Sequence, residues 1–273
     1  MAMGSFLADL PPEFAPLRVF LQDKFVPYIQ LHLEDNGWLK TTEYQDPLPL
    51  WSSKMGGYPY LPKSLEYPRD AETGELMMFL LQINCAEVPE IPNFPLPRQG
   101  LLQFFVGLNV AMCQLSPQRH CIRYIEEIDL DETRLISNFE FTQESRQRNE
   151  WYNPIYSLRF CPGEALFFNY RQSMGHLRLP ESLQTLCDEF FFDDWLYDYD
   201  IENEGLEREH PYKLAGYPDL HSYVPDVLDE AQGQLLLEVQ DPFSCSDYFY
   251  FFINPDDLKR QDFSQVESYF MRV

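Results

Sequence analysis

The sequence predicts an α+β domain of mainly antiparallel sheet in two pseudo-symmetric halves, with an N-terminal helix and an acidic helix before the second half. Three observations predict it. Apolar runs of strand length recur at hairpin spacing, helical periodicity is confined to a few stretches, and a glycine-turn motif occurs twice in the same context. At 273 residues, with 45% hydrophobic and 16% aromatic residues, the chain can bury a substantial core. A single domain over 1–273 is expected: a helical segment at 1–40, a first half at 51–180, and the acidic helix with the second half at 181–273.

The first element predicted is a helix from Glu13 to Glu34. Leu17, Phe20, Leu21, Phe25, Ile29 and Leu33 recur at helical spacing, Pro11-Pro12 mark the start, and Pro27 kinks or splits the pattern. Met77–Ile83 and Leu101–Val106 are apolar runs of strand length, separated by a loop holding Pro89, Pro92, Pro95 and Pro97. Further strands are expected at Cys121–Ile128, Ile155–Phe160 and Ala165–Tyr170. Helical pattern returns from Glu181 to about Tyr199, after Pro180. Strands at Gln234–Val239 and Tyr248–Ile253 then lead into a short helix at Pro255–Arg260.

The repeat links these elements. Lys54-Met55-Gly56-Gly57-Tyr58-Pro59 is echoed by Lys213-Leu214-Ala215-Gly216-Tyr217-Pro218. The first copy precedes Phe79–Ile83 and Gln103–Val106; the second precedes Leu235–Val239 and Tyr250–Ile253. Glycine before Tyr-Pro suits a positive-φ backbone, and proline sets the exit direction. Two half-sheets around a common core are expected rather than two independent domains.

The same residues resemble the YwqG-like family of bacterial domains of unknown function. The resemblance rests on the Lys54–Pro59 segment, the strand Leu80-Leu81-Gln82-Ile83, the strand Gly100–Phe105 and the closing Tyr250–Leu258, and it covers roughly Trp51 to Phe263. It implies one α+β domain with two pseudo-symmetric halves and no established enzymatic activity. Some relatives are similar to immunity proteins encoded beside secreted antibacterial toxins. Ala215 departs from the family pattern where a second glycine is usual, as does Cys245–Tyr248 in place of a glycine-rich lead into the last strand.

Charge is distributed unevenly. From Asp188 to Val273 the chain carries 21 acidic and 5 basic residues, a balance of −16 out of −24. Between Asp188 and Glu209 the acids alternate with large aromatics, which suits a surface that steers a basic partner and anchors it through rings. An amphipathic helix with its aromatics in the core is the plainer reading, and the two are compatible. The candidate partner-binding residues are Asp188, Glu189, Asp193, Asp194, Trp195, Tyr197, Asp198, Tyr199, Asp200, Glu202 and Glu204, with Asp219, Asp226, Asp229 and Glu230 in support. A pI near 4.4 argues against nucleic acid or an anionic membrane as partner, since both require Lys and Arg. No apolar run reaches the roughly 18 residues of a membrane span, and no secretory signal is visible, so a cytoplasmic location is expected. Met1–Ser5 reads as a cloning scar.

Other chemistry finds little support in the sequence. Six cysteines lie far apart without a Cys-x-x-Cys pair and read as free thiols. His120 and Cys121, with Cys113 nearby, would point to opposite faces of a strand, so neither metal nor cofactor is expected. Five histidines lack ligand spacing, and no nucleophile elbow is present. Lys54 precedes its glycines rather than following them, which favours a structural turn over a phosphate cradle. Asp198-x-Asp200-x-Glu202-x-Glu204 lacks the glycine and closing glutamate of a calcium hand. The expectation is a non-enzymatic acidic binding protein, an immunity protein that neutralises a basic bacterial toxin such as a nuclease. The alternative is a ligand binder or enzyme using a cleft near Lys54, Gly57, Lys213 and Gly216.

Overall fold

A computed structural model describes residues 7–39, 46–107, 113–115, 119–144, 154–166, 179–191, 212–218, 233–240 and 247–272. Its centre is an 11-stranded antiparallel sheet. The strands are β1 (Phe25–Trp38), β2 (Lys54–Gly56), β3 (Met78–Asn84), β4 (Leu101–Val106), β5 (Cys113–Leu115), β6 (His120–Ile125), β7 (Pro154–Leu166), β8 (Tyr212–Ala215), β9 (Gln234–Gln240), β10 (Asp247–Ile253) and β11 (Glu267–Arg272). Across the sheet they run β5-β11-β10-β9-β8-β1-β7-β2-β3-β4-β6. The α-helices among the described residues include α1 (Ala15–Leu21), α2 (Glu181–Glu189) and α3 (Pro255–Arg260). The predicted fold class, α+β with mainly antiparallel sheet, is the observed one.

The strand order reads as a pseudo-twofold about the β1·β7 pair, with β2, β3, β4, β6 and β7 matching β8, β9, β10, β11 and β1. Register supports the match residue by residue. Lys54 pairs with Gln82 and Ser157, while Lys213 pairs with Glu238 and Gln30. The two pairs Gln30↔Cys161 and Glu34↔Ser157 exchange under this relation, which leaves His32↔Arg159 on the axis. Each half also carries a bulge at the same place. Leu80 is the extra residue between β3 and β4, and its counterpart Leu236 is the extra residue between β9 and β10.

The inward faces of both halves build one core. Ile29, Leu31, Met55, Leu81, Phe104, Leu214, Leu237 and Phe251 belong to it together. The sheet rolls until its ends meet: His120 on β6 bonds to Val266 and Ser268, and Tyr124 packs on Phe263.

Two helix expectations need correction. The N-terminal helix ends at Leu21, and the stretch expected to continue it is the central strand β1. Ile29 and Leu33 satisfy both a helical and an alternating period, but buried Leu31 between them fits only the strand. Pro27 lies just outside the stretch Tyr28–Gln30 that pairs with β8, where its missing N–H costs no ladder bond on that side. The acidic helix ends at Glu189 rather than near Tyr199, because Phe191 turns to φ 53°. Two runs expected as separate strands, Ile155–Phe160 and Ala165–Tyr170, belong to the single long strand β7 as far as Leu166.

Candidate functional site

The repeated glycine turns place a lysine on the outward face of the sheet in each half. Lys54 is fully buried, and its Nζ lies 2.7 Å from Asp46 Oδ2. The same carboxylate oxygen accepts the Tyr58 amide at 2.8 Å, and Oδ1 accepts the Leu48 amide at 2.8 Å. Gly56 and Gly57 both have positive φ, at 70° and 71°, which turns the backbone toward this carboxylate. A Cβ at Gly57 would sit 2.5 Å from Asp46 Oδ2.

Two amide side chains complete the arrangement. Gln82 Oε1 accepts the Tyr60 amide at 2.9 Å, and Gln82 Nε2 donates to the carbonyls of Leu50 and Ser52. Gln103 Nε2 donates to the Tyr60 carbonyl at 2.7 Å and to Gln82 Oε1. Lys54, Gln82 and Gln103 are register neighbours, so one polar row pins an irregular segment against the sheet. Tyr60 hydroxyl donates to the Asp129 carbonyl and accepts its amide, and burial raises the Tyr60 pKa. The first glycine turn is therefore a structural clamp, with Lys54 and Gly57 engaged by Asp46.

The second turn keeps the geometry and changes the chemistry. Ala215 and Gly216 have φ 61° and 75°. Lys213 lies 3.4 Å from Glu238, both of them buried, and over the Tyr28 ring at 5.9 Å. Glu238 and Tyr250 replace the amides Gln82 and Gln103 of the first row. A charged pair within the sheet thus stands where the first half uses a carboxylate from a loop.

The acidic surface is only partly visible. Asp188 and Glu189 occupy the exposed last turn of α2, which contains no basic residue. Cys187, Leu183 and Leu186 turn the other side of this helix onto Leu10, Phe14, Leu17 and Leu21 at the N terminus. Phe190 packs edge-on against Phe14 at 6.3 Å and remains 43% exposed; Phe191 is 69% exposed. Asp193, Asp194, Trp195, Tyr197, Asp198, Tyr199, Asp200, Glu202 and Glu204 lie outside the described residues, as do Asp219, Asp226, Asp229 and Glu230.

Sequence reasoning missed Asp46, Gln82 and Gln103. A signal existed for the glutamines: each is the single polar residue inside an apolar strand, Leu-Leu-Gln-Ile and Leu-Leu-Gln-Phe, as is Glu238 in Leu-Leu-Leu-Glu-Val. A polar side chain buried on both sides must find partners, so such positions mark internal networks. Phe191 could not have been singled out, because its exposure depends on where α2 stops.

Among the described residues, no helix is long and apolar enough to cross a membrane. The chain belongs to the DUF1963 family, a domain of unknown function whose sequence model matches residues 53–270. The match begins one residue before Lys54 and takes in both glycine turns and both polar rows. No curated protein matches the chain.

Proposed function

We propose that this DUF1963 protein is a non-enzymatic acidic binding protein that neutralises a bacterial toxin inside the cell that makes it. The surface assigned to the partner begins at the end of α2 and continues through the acidic, aromatic residues that follow it. One observation carries the reading: α2 ends in a way that costs stability and leaves an aromatic anchor in water. Asp188 and Glu189 sit at the negative end of the helix dipole, where cations are favoured. Phe191 adopts a left-handed backbone that a bulky side chain disfavours by about 1–2 kcal/mol, and it stays largely exposed. Local costs gathered at one exposed point, beside carboxylates, suit a site kept for binding rather than folding.

Support also comes from the net charge of −24, which favours a cationic partner. A nuclease fits that chemistry, because its cleft must be positive to hold phosphates. The resemblance to the YwqG-like family, some of whose relatives are similar to immunity proteins, points the same way. The test is a pull-down at low salt against the product of the adjacent gene, with nuclease activity as second readout. Retention of a basic toxin and loss of its activity is the expected result; nothing retained, or a retained toxin that remains active, overturns the reading.

A further inference from the structure

We infer that the line where β6 meets β11 is the seam along which this barrel opens, and that His120 is its latch. Neighbouring strands elsewhere in the sheet are joined by backbone ladders. Among the described residues β6 and β11 share none. Among the described residues β5 pairs with β11 over Cys113–Leu115, and β6 pairs with β4. What fastens β6 to β11 directly is side-chain chemistry.

His120 is buried on the inward face of β6. Its Nε2 lies 2.8 Å from the Val266 carbonyl and its Nδ1 lies 2.8 Å from the Ser268 hydroxyl. A carbonyl only accepts, so in the neutral ring Nε2–H donates to Val266 and Nδ1 accepts from Ser268. Tyr124 against Phe263, at 5.7 Å, is the second fastening.

The pseudo-twofold explains why the weak line falls here. Gln103↔Arg123 corresponds to Tyr250↔Tyr269, so His120 and Val266 are counterparts, each three residues earlier along its strand. They face each other where the axis leaves the barrel. At the other end of the axis, β1 and β7 are held by a ladder from Phe25↔Leu166 to Trp38↔Pro154. That end is closed by this long ladder. At the opposite end, among the described residues, the backbone supplies the three pairs of β5 with β11, and His120 and Tyr124 supply the direct contacts of β6. Opening therefore begins at the seam, uncovering Phe104 and Phe251 while β1·β7 stays intact.

Hydrogen–deuterium exchange of the full chain, read by mass spectrometry, tests this with His120→Ala, Ser268→Ala and a control, Leu214→Ala, at the buried centre of the sheet. In the parent protein, peptides over His120–Ile125 and Val266–Ser268 exchange faster than those over β1 and β7. His120→Ala accelerates those seam peptides about tenfold or more and leaves β1 and β7 unchanged, with a smaller effect of Ser268→Ala in the same peptides. Leu214→Ala does not single out the seam. Seam peptides as protected as β1 and β7 in the parent, uniform acceleration by His120→Ala, or the same seam-selective pattern from Leu214→Ala each overturns the inference.

Discussion

Phe104 and Phe251 meet edge to face across the core with ring centroids 5.0 Å apart, and each is the other's counterpart in the two halves. Leu81↔Phe104 in one half corresponds to Leu237↔Phe251 in the other, so the contact lies on the pseudo-twofold axis. Both rings are fully buried. Phe104→Ala or Phe251→Ala alone should cost about 3–5 kcal/mol, and the double variant less than the sum, because both changes open the same space. Denaturant unfolding of the three variants measures this; strict additivity would place the two rings in independent cores.

Asp46 ties Lys54 to the Tyr58 and Leu48 amides, with both charged side chains out of water. Asp46→Ala leaves a buried ammonium without this partner and should destabilise by about 3–5 kcal/mol. Lys54→Met on that background should recover part of the loss, since the uncompensated charge is gone. A double variant no more stable than Asp46→Ala, in urea titrations at neutral pH, would refute the pairing as the source of the cost.

The two glycine turns should respond in opposite directions. Gly57→Ala places a Cβ against Asp46 Oδ2 at positive φ and should destabilise by more than about 2 kcal/mol. Ala215→Gly removes a side chain from a φ of 61° and should raise stability by about 0.5 kcal/mol, the unfolded-state entropy of glycine offsetting the rest. Thermal unfolding distinguishes the two signs.

At the end of α2 stability and binding should separate. Phe191→Gly relieves the left-handed backbone and should leave stability unchanged or slightly raised, while weakening capture of the basic partner by at least about tenfold. Charge reversal with Asp188→Lys and Glu189→Lys should slow association and reduce its salt dependence. Binding kinetics at two salt concentrations read both effects; unchanged affinity in all three variants would remove this surface from the interface.

Burial pushes the Cys85 thiol up to about 12, and burial also raises that of Cys121. The folded-state value of Cys85 lies above its ordinary value of 9.0, so its contribution to stability is complete below about pH 9 and is lost as pH rises toward 12. At pH 8 a thiol reagent should spare Cys85 in the folded protein and modify it on unfolding. Peptide mapping locates the label, and early labelling of Cys85 would contradict its burial.

Much of the fold was legible because β3, β4, β9 and β10 are runs of strand length whose side chains are apolar on both faces. α3 was legible too, since Asn254 caps it and Pro255 opens it. The repeat was legible because Lys-x-x-Gly-Tyr-Pro survives in both copies. β1 was not, because Ile29 and Leu33 fit two periods and only pairing with β7 and β8 selects one. The acidic run after Asp188 was legible as charge, though most of it lies outside the described residues.

Composition and local pattern, which act through side-chain size, charge and backbone preference, were enough to set the class of fold, the duplication and the acidic character of this chain. The partner of Lys54, the charged exchange at Lys213 and Glu238, and the meeting of Phe104 with Phe251 depend on residues far apart in sequence. Register and sheet closure bring those together, and neither is a property of any single segment.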